Sequence, residues 1–167
     1  MAERSIILEP VKIRQKLERM AYEIYEEHCD ETDLFLVGVN NKGSLLAQQL
    51  LDILQSISPL QIKLLHVVLD PSAPTEKPIQ AELGDWINDK PVVIVDDVAN
   101  TGRTLLFAMK PFLEYLPKSI QIAVLVDREH KQYPVATDFV GLSLSTTLQE
   151  HINVVVKNKD IQAVYLD

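Results

Sequence analysis

The sequence predicts an α/β fold around a mostly parallel sheet, and three observations carry that prediction. Leu34–Val39 and Val92–Val95 are unbroken apolar runs of strand length, as expected of strands covered on both faces. Apolar residues at helical spacing occupy stretches between such runs. Strand and helix then alternate along 167 residues, a length that suits one domain, residues 1–167, with a substantial core.

Val11–His28 reads as an amphipathic helix, because Ile13, Leu17, Met20, Ile24 and His28 recur on one face. Leu34–Val39 is the first buried strand. Asn40-Asn-Lys-Gly43 breaks it, and Ser44 is placed to cap a helix running to about Gln55. Ile62–Leu69 is the next strand, its apolar character interrupted by Lys63 and His66. Asp70–Ala81 contains Pro71, Pro74 and Pro78, which excludes regular structure and predicts a mobile, functional loop. Val92–Val95 is a short buried strand that gives way to Asp96-Asp97 and a turn. Thr104–Leu116 is helical, with Pro111 kinking or dividing it. Gln121–Val126 is a further strand, and Phe139–Leu142, Asn153–Val156 and Ala163–Leu166 are weaker ones.

Composition narrows the function classes. Hydrophobic residues make up 47% and charged residues 24%, so the chain is not intrinsically disordered. No apolar run approaches the roughly 20 residues that cross a bilayer, and Met1–Leu8 lacks a signal segment, so no membrane partner is expected. One cysteine, Cys29, forms no internal disulfide and suits a reducing, cytoplasmic setting. A net charge of −8 weighs against non-specific nucleic-acid binding.

The chemistry concentrates in Val92-Val-Ile-Val-Asp-Asp-Val-Ala-Asn-Thr-Gly-Arg-Thr104. Ligands of open α/β sheets bind outside the carboxyl ends of the strands, where Asp96 and Asp97 fall. Alternation along the strand points their side chains to opposite sides, so both are not expected to be buried ion-pair partners. Thr101, Gly102 and Thr104 form a tight turn into a helix, which aims backbone N–H groups at an anion. Neither a dinucleotide glycine motif nor a P-loop is present. One phosphate pocket beside two carboxylates suits a sugar phosphate whose hydroxyls are held by acids.

That run resembles the phosphoribosyl-diphosphate (PRPP) motif of type I phosphoribosyltransferases: four apolar residues, two acids, then a Thr-Gly-x-Thr turn. Val37-Gly-Val-Asn-Asn-Lys-Gly43 is similar to the family's diphosphate-binding loop. Ala123-Val-Leu-Val-Asp-Arg-Glu-His130, with Tyr133-Pro134 and Asp138-Phe-Val-Gly141, resembles the PyrR group, in which one fold serves as a uracil phosphoribosyltransferase and as an RNA-binding attenuator. The resemblance covers most of the chain. It implies a type I phosphoribosyltransferase fold, with a small hood built from the chain's ends, and Mg²⁺-dependent transfer from PRPP to a nucleobase, uracil favoured.

The resemblance also implies residue roles. Asp96 and Asp97 are the catalytic pair, binding the ribose hydroxyls directly or through Mg²⁺. Ala99, Asn100, Thr101, Gly102, Arg103 and Thr104 hold the 5-phosphate. Asn40, Asn41, Lys42 and Gly43 hold the diphosphate, with Lys42 where the family often has Arg. Phe139 stacks on the base, the backbone of Val140 reads its edge, and Asp127 and Arg128 complete the base site. Asp127 replaces a Lys frequent in purine enzymes and so disfavours hypoxanthine and guanine. A homodimer is implied as well. The sequence departs from the family in its loop, where Leu69, Asp70 and Pro71 stand in place of basic residues and Lys77 is the only cation before Lys90. That departure predicts weakened catalysis.

Two other function classes stay open: a regulator binding PRPP or nucleotide and RNA with vestigial catalysis, and a protein of this fold acting through a protein partner. Lys12, Lys16 and Arg19, with Arg14 nearby, form a basic helix face that reads first as solvated and second as an RNA patch, to which Arg128 and Lys131 add charge elsewhere. His28, His66, His130 and His151 lack metal-ligand spacing, although His130 could line the base pocket. Cys29 has no evident catalytic histidine, and Trp86 reads as packing beneath the loop.

Overall fold

The computed structural model describes residues 4–167. Strand β1 (Ser5–Leu8) leads into helix α1 (Pro10–Glu27), and β2 (Asp33–Val39) into α2 (Asn40–Ile57). Strands β3 (Gln61–Val68) and β4 (Gln80–Ala81) flank the Pro-rich segment. Strand β5 (Pro91–Ala99) precedes α3 (Arg103–Met109), and a 3-10 helix over Lys110–Glu114 leads towards β6 (Ser119–Arg128). Strands β7 (Phe139–Leu144), β8 (Ile152–Lys157) and β9 (Asp160–Leu166) complete the chain.

The main sheet has the order β4-β3-β2-β5-β6-β7 and is parallel except at β4, as the sequence predicts. Strands β2 and β5 are neighbours at its centre, but their connections run in opposite directions, β2 through α2 to β3 and β5 through α3 to β6. Right-handed crossovers then put α2 and α3 on opposite faces. Two cores follow. Leu46, Leu50 and Leu54 of α2 pack with Leu17, Met20 and Ile24 of α1 on one side. Leu105 and Ala108 of α3 pack with Phe35, Val37, Ile94 and Phe112 on the other. The crevice between β2 and β5 is a topological switch point, where open α/β sheets bind ligands.

A second, antiparallel sheet, β1-β9-β8, joins the two ends of the chain. Its Val154, Ile161 and Val164 are buried in the same core as α1 and α2. Strand β1 has no sequence signal, because it is four residues long, mostly exposed, and exists through pairing with β9. Pro111 divides the helical stretch after β5, as its missing N–H dictates.

Three local expectations are corrected. Residues 40–43 are not a break, since they form the first turn of α2, with Asn40 at φ +52° absorbing the change of direction. Ser44 therefore lies inside the helix, its Oγ 2.8 Å from Nδ1 of His66, and caps nothing. Strand β5 does not stop at Val95 but continues through both aspartates to Ala99, because β6 pairs alongside it as far as Asp127. Trp86 is nearly half exposed, tilted against Phe35 with ring centroids 5.3 Å apart, and is not covered by the loop.

Candidate functional site

A cleft of about 370 Å³ opens at the switch point, lined by Asn40, Asn41, Lys42, Asp96, Asp97, Asn100, Thr104 and, from the second sheet, Ile152, with Pro71 and flanking valines. Sequence reasoning singled out seven of those eight named residues. A larger hollow of about 650 Å³ between the Pro-rich segment and the 3-10 helix holds Lys77, Lys110, Glu76 and Glu114 but no strand-end carboxylate pair. The smaller cleft has the chemistry.

The two aspartates share the cleft despite alternating along β5. Asp96 is buried at 8% exposure, and its Oδ1 accepts the Asp97 backbone N–H at 2.9 Å. Burial, followed by the charge of Asp97, raises the Asp96 carboxyl well above its ordinary value. Only Asp96 is buried, and Asp97 is half-buried. Nζ of Lys42 stands 4.0 Å from Oδ2 of Asp97 and is the sole cation among the described residues lining this cleft.

The close approach of α2 to β5 depends on Gly43. A Cβ built there would stand 2.5 Å from the Val95 carbonyl oxygen and 3.3 Å from Oδ1 of Asp96. Only hydrogen fits, and this contact lays Lys42 and Asn41 against the acidic pair.

On the opposite flank, Val98 to Leu105 enclose a concavity of about 40 Å³. Gly102 has φ +87°, the left-handed region that glycine enters without strain, and a Cβ there would also meet Val135 at 3.2 Å. The Arg103 N–H donates to Oγ1 of Thr101 at 3.3 Å, leaving the Thr101 hydroxyl proton free. N–H groups at the start of a helix have no helical acceptor and suit an anion. The turn is braced from behind, because the Thr101 carbonyl accepts N–H groups from Gln132 and Tyr133 at 2.9 and 3.1 Å. No sequence signal points to that brace.

The base-site expectations fare differently. Phe139 begins β7 level with Ala123, at 5% exposure in the core beside α1 and α2, and Val140 pairs with Val124. The carbonyls of Val140 and Gly141 are held by Nη2 of Arg19 at 2.9 and 2.8 Å. Through β6, Phe139 stands level with Val95 and Val140 with Asp96, so the start of β7 lies at the height of the acidic pair, with the Phe139 ring packed into the core. Asp127 does reach the cleft end, opposite Ala99, but its carboxylate is held by Lys131 and by the Thr137 hydroxyl. Arg128 donates to the Thr147 carbonyl, and His130 bonds the Thr146 carbonyl at 3.0 Å. These side chains anchor loops and do not line the cleft. Ile152, the first residue of β8, adds an apolar side chain to the lining of the cleft. It lies one residue before the expected strand, and no local pattern reveals that the chain's end folds over the cleft.

The donor set bears on a metal. Asp96 and Asp97 offer hard carboxylate oxygens, and no cluster of three or more potential ligands occurs among the described residues. Mg²⁺ is commonly held by one or two carboxylates plus substrate phosphates, so the pair fits Mg²⁺ arriving with a phosphorylated ligand. No helix among the described residues is long and apolar enough to cross a membrane.

Comparison with known proteins bears on the same arrangement. The family described as phosphoribosyl transferase domain matches residues 4–159. The bifunctional protein PyrR of Ligilactobacillus salivarius is 36% identical over 164 aligned positions, covering 92% of each chain. The protein of the same name from Clostridium acetobutylicum is 36% identical over 162 positions, covering 92% of this chain and 91% of the relative. Among solved structures, a hypoxanthine phosphoribosyltransferase of Trypanosoma cruzi superposes with a TM-score of 0.77 at 16% identity, covering 95% of both chains. A hypoxanthine-guanine phosphoribosyltransferase from Bacillus anthracis gives 0.75 at 15% identity, covering 96% of this chain and 95% of that one. At such identities the structural likeness carries the fold alone.

Proposed function

The chain belongs to the phosphoribosyl transferase domain family, and from that premise we propose that it transfers a phosphoribosyl group from PRPP to a nucleobase, with uracil the favoured acceptor. The observation that carries the reading is the pairing of Asp96 and Asp97 with a phosphate-sized turn on one flank and the Lys42 turn on the other. PRPP has the matching sequence of groups: a 5-phosphate, a ribose with two free hydroxyls, and a diphosphate at C1.

Asp96 and Asp97 accept the ribose hydroxyls, and their negative charge favours the oxocarbenium character that develops at C1. The backbone from Ala99 to Thr104, with the Thr101 and Thr104 hydroxyls, holds the 5-phosphate. Asn40, Asn41 and Lys42 hold the diphosphate, and Gly43 keeps that turn close enough to do so. Ile152 covers the base and orients its nitrogen towards C1. Mg²⁺, when bound through Asp96 and Asp97, supplies charge neutralisation for the departing diphosphate. The Pro-rich segment, whose Pro71 borders the cleft, excludes water. The family resemblance supports a homodimer as the working assembly.

A second reading has its own observation. Lys42 is the one cation lining the cleft among the described residues, which favours slow catalysis and a regulator that binds PRPP or nucleotide together with RNA. Against the RNA part, Arg19 is occupied by Glu23 and by two β7 carbonyls, leaving Lys12, Lys16 and Arg14 on that face.

The test is diphosphate release from PRPP and Mg²⁺ with uracil, hypoxanthine, guanine, xanthine or adenine. Turnover with uracil alone supports the reading, and turnover with a purine replaces the acceptor. Binding of PRPP without release for any base moves the function to regulation.

A further inference from the structure

The Pro-rich segment after β3 is tied down at its base from both sides of the switch point. The Leu69 N–H donates to Oδ1 of Asn40 at 3.0 Å, and Nη2 of Arg103 donates to the Pro71 carbonyl at 2.7 Å. Asn40 is the first residue of α2 and Arg103 the first of α3, the two helices that leave the cleft on opposite faces. Each of these residues also belongs to one of the turns read above as anion sites. Pro71 itself lines the cleft with Asp96 and Asp97.

Within itself the segment makes only short-range bonds, from the N–H groups of Ser72 and Ala73 to Asp70 and of Glu76 to Ala73. Its three prolines lack N–H groups, and between β3 and β4 it forms only turns. Its one cation, Lys77, lines the outer hollow, on a different set of residues from the acidic pair. A bond from a guanidinium is charge-assisted and stronger than one between neutral groups. Arg103 has five N–H donors in a fixed fork, and Pro71 takes one of them. No carboxylate pairs with Arg103 among the described residues.

We propose that Arg103 is a positioning residue that latches the Pro-rich segment to the phosphate turn, so that occupancy of the turn and closure over the cleft are coupled. The fork holds the Pro71 carbonyl with one N–H and offers its remaining donors to a phosphate bound at its own backbone. Filling the turn tightens the latch. The coupling rests on the phosphoribosyl reading, whereas the latch in the free protein does not.

Amide hydrogen exchange over residues 69–73 separates the two, using wild type and Arg103→Met, which keeps an unbranched stem and removes the donors. In the free proteins, exchange in this segment is about tenfold faster in the variant, the scale expected for loss of one such bond, while β5 is unchanged. PRPP with Mg²⁺ slows the segment further in wild type and not in Arg103→Met, and kcat falls more than KM changes. Equal exchange in the two free proteins overturns the latch, and faster exchange on adding PRPP overturns the shared fork. Absence of PRPP binding by wild type overturns the phosphoribosyl reading and the coupling with it, and the latch is then decided by the free-protein comparison. Should Arg103→Met fail to fold, Arg103→Ala carries the same expectations.

Discussion

Gly43 and Val95 touch so closely that a methyl group on the glycine would stand 2.5 Å from the valine's carbonyl oxygen. This contact sets the distance between the first turn of α2 and the strand that carries both aspartates. Helix propensity alone predicts that Gly43→Ala stabilises the chain by up to about 1 kcal/mol. The clash is with backbone, which cannot rotate away, so the sign reverses. The variant is expected to lose about 1–3 kcal/mol in urea unfolding, and to lose PRPP affinity as Lys42 moves off the acidic pair.

Asp96 gives a pH signature. Burial and the neighbouring Asp97 raise its carboxyl above the ordinary value of 3.8, so between 3.8 and the raised value the folded state keeps a proton that the unfolded state has lost. Stability therefore falls as pH rises through that window and carries the whole cost above it. Asp96→Asn has no such cost. Its melting temperature in the absence of ligand is expected above that of wild type at pH 8, with the gap shrinking as pH falls towards 3.8, although PRPP binding is weakened. A constant gap between pH 8 and pH 4 contradicts this.

Gly102→Ala meets two obstacles at once, a left-handed backbone at φ +87° and the Val135 side chain at 3.2 Å. We expect a loss of about 1–3 kcal/mol, with weakened 5-phosphate binding measurable as a higher KM for PRPP.

Phe139 and Ile152 divide stability from specificity. Phe139→Ala removes a ring from the core and is expected to cost about 3–5 kcal/mol without changing the choice of base among the molecules that remain folded. Ile152→Ala, at a half-buried side chain on the edge of the core, costs less, about 1 kcal/mol, and raises KM for the base. The reverse pattern restores the base role to β7.

Lys42→Met removes the cleft's cation. A drop of about 10²-fold in kcat/KM, concentrated in kcat, is expected if Lys42 acts on the departing diphosphate. An effect confined to KM assigns it to ground-state binding.

The fold was legible where burial is two-sided. Leu34–Val39 and Val92–Val95 read as central strands, and the Thr101–Thr104 turn into α3 is signalled by a few residues. Polar strand ends hid the rest. Asp96 and Asp97 read as a terminus because acids are rare in strands, yet pairing with β6 carries β5 through them. Strand β1 and the Ile152 wall depend on partners far along the chain, and no local pattern encodes them. The level of β7 is likewise set by register, since only the assembled sheet shows that Val140 stands opposite Val124 and, through it, level with Asp96.

The central claim is that the Asp96–Asp97 cleft binds PRPP. Calorimetric titration of PRPP with Mg²⁺ into wild type and into the Asp96→Asn, Asp97→Asn double variant tests it most directly. The account predicts saturable, Mg²⁺-dependent binding to wild type and at least about tenfold weaker binding to the variant, as loss of charge-assisted bonds requires. Equal affinity in both proteins, or no heat in either, contradicts it.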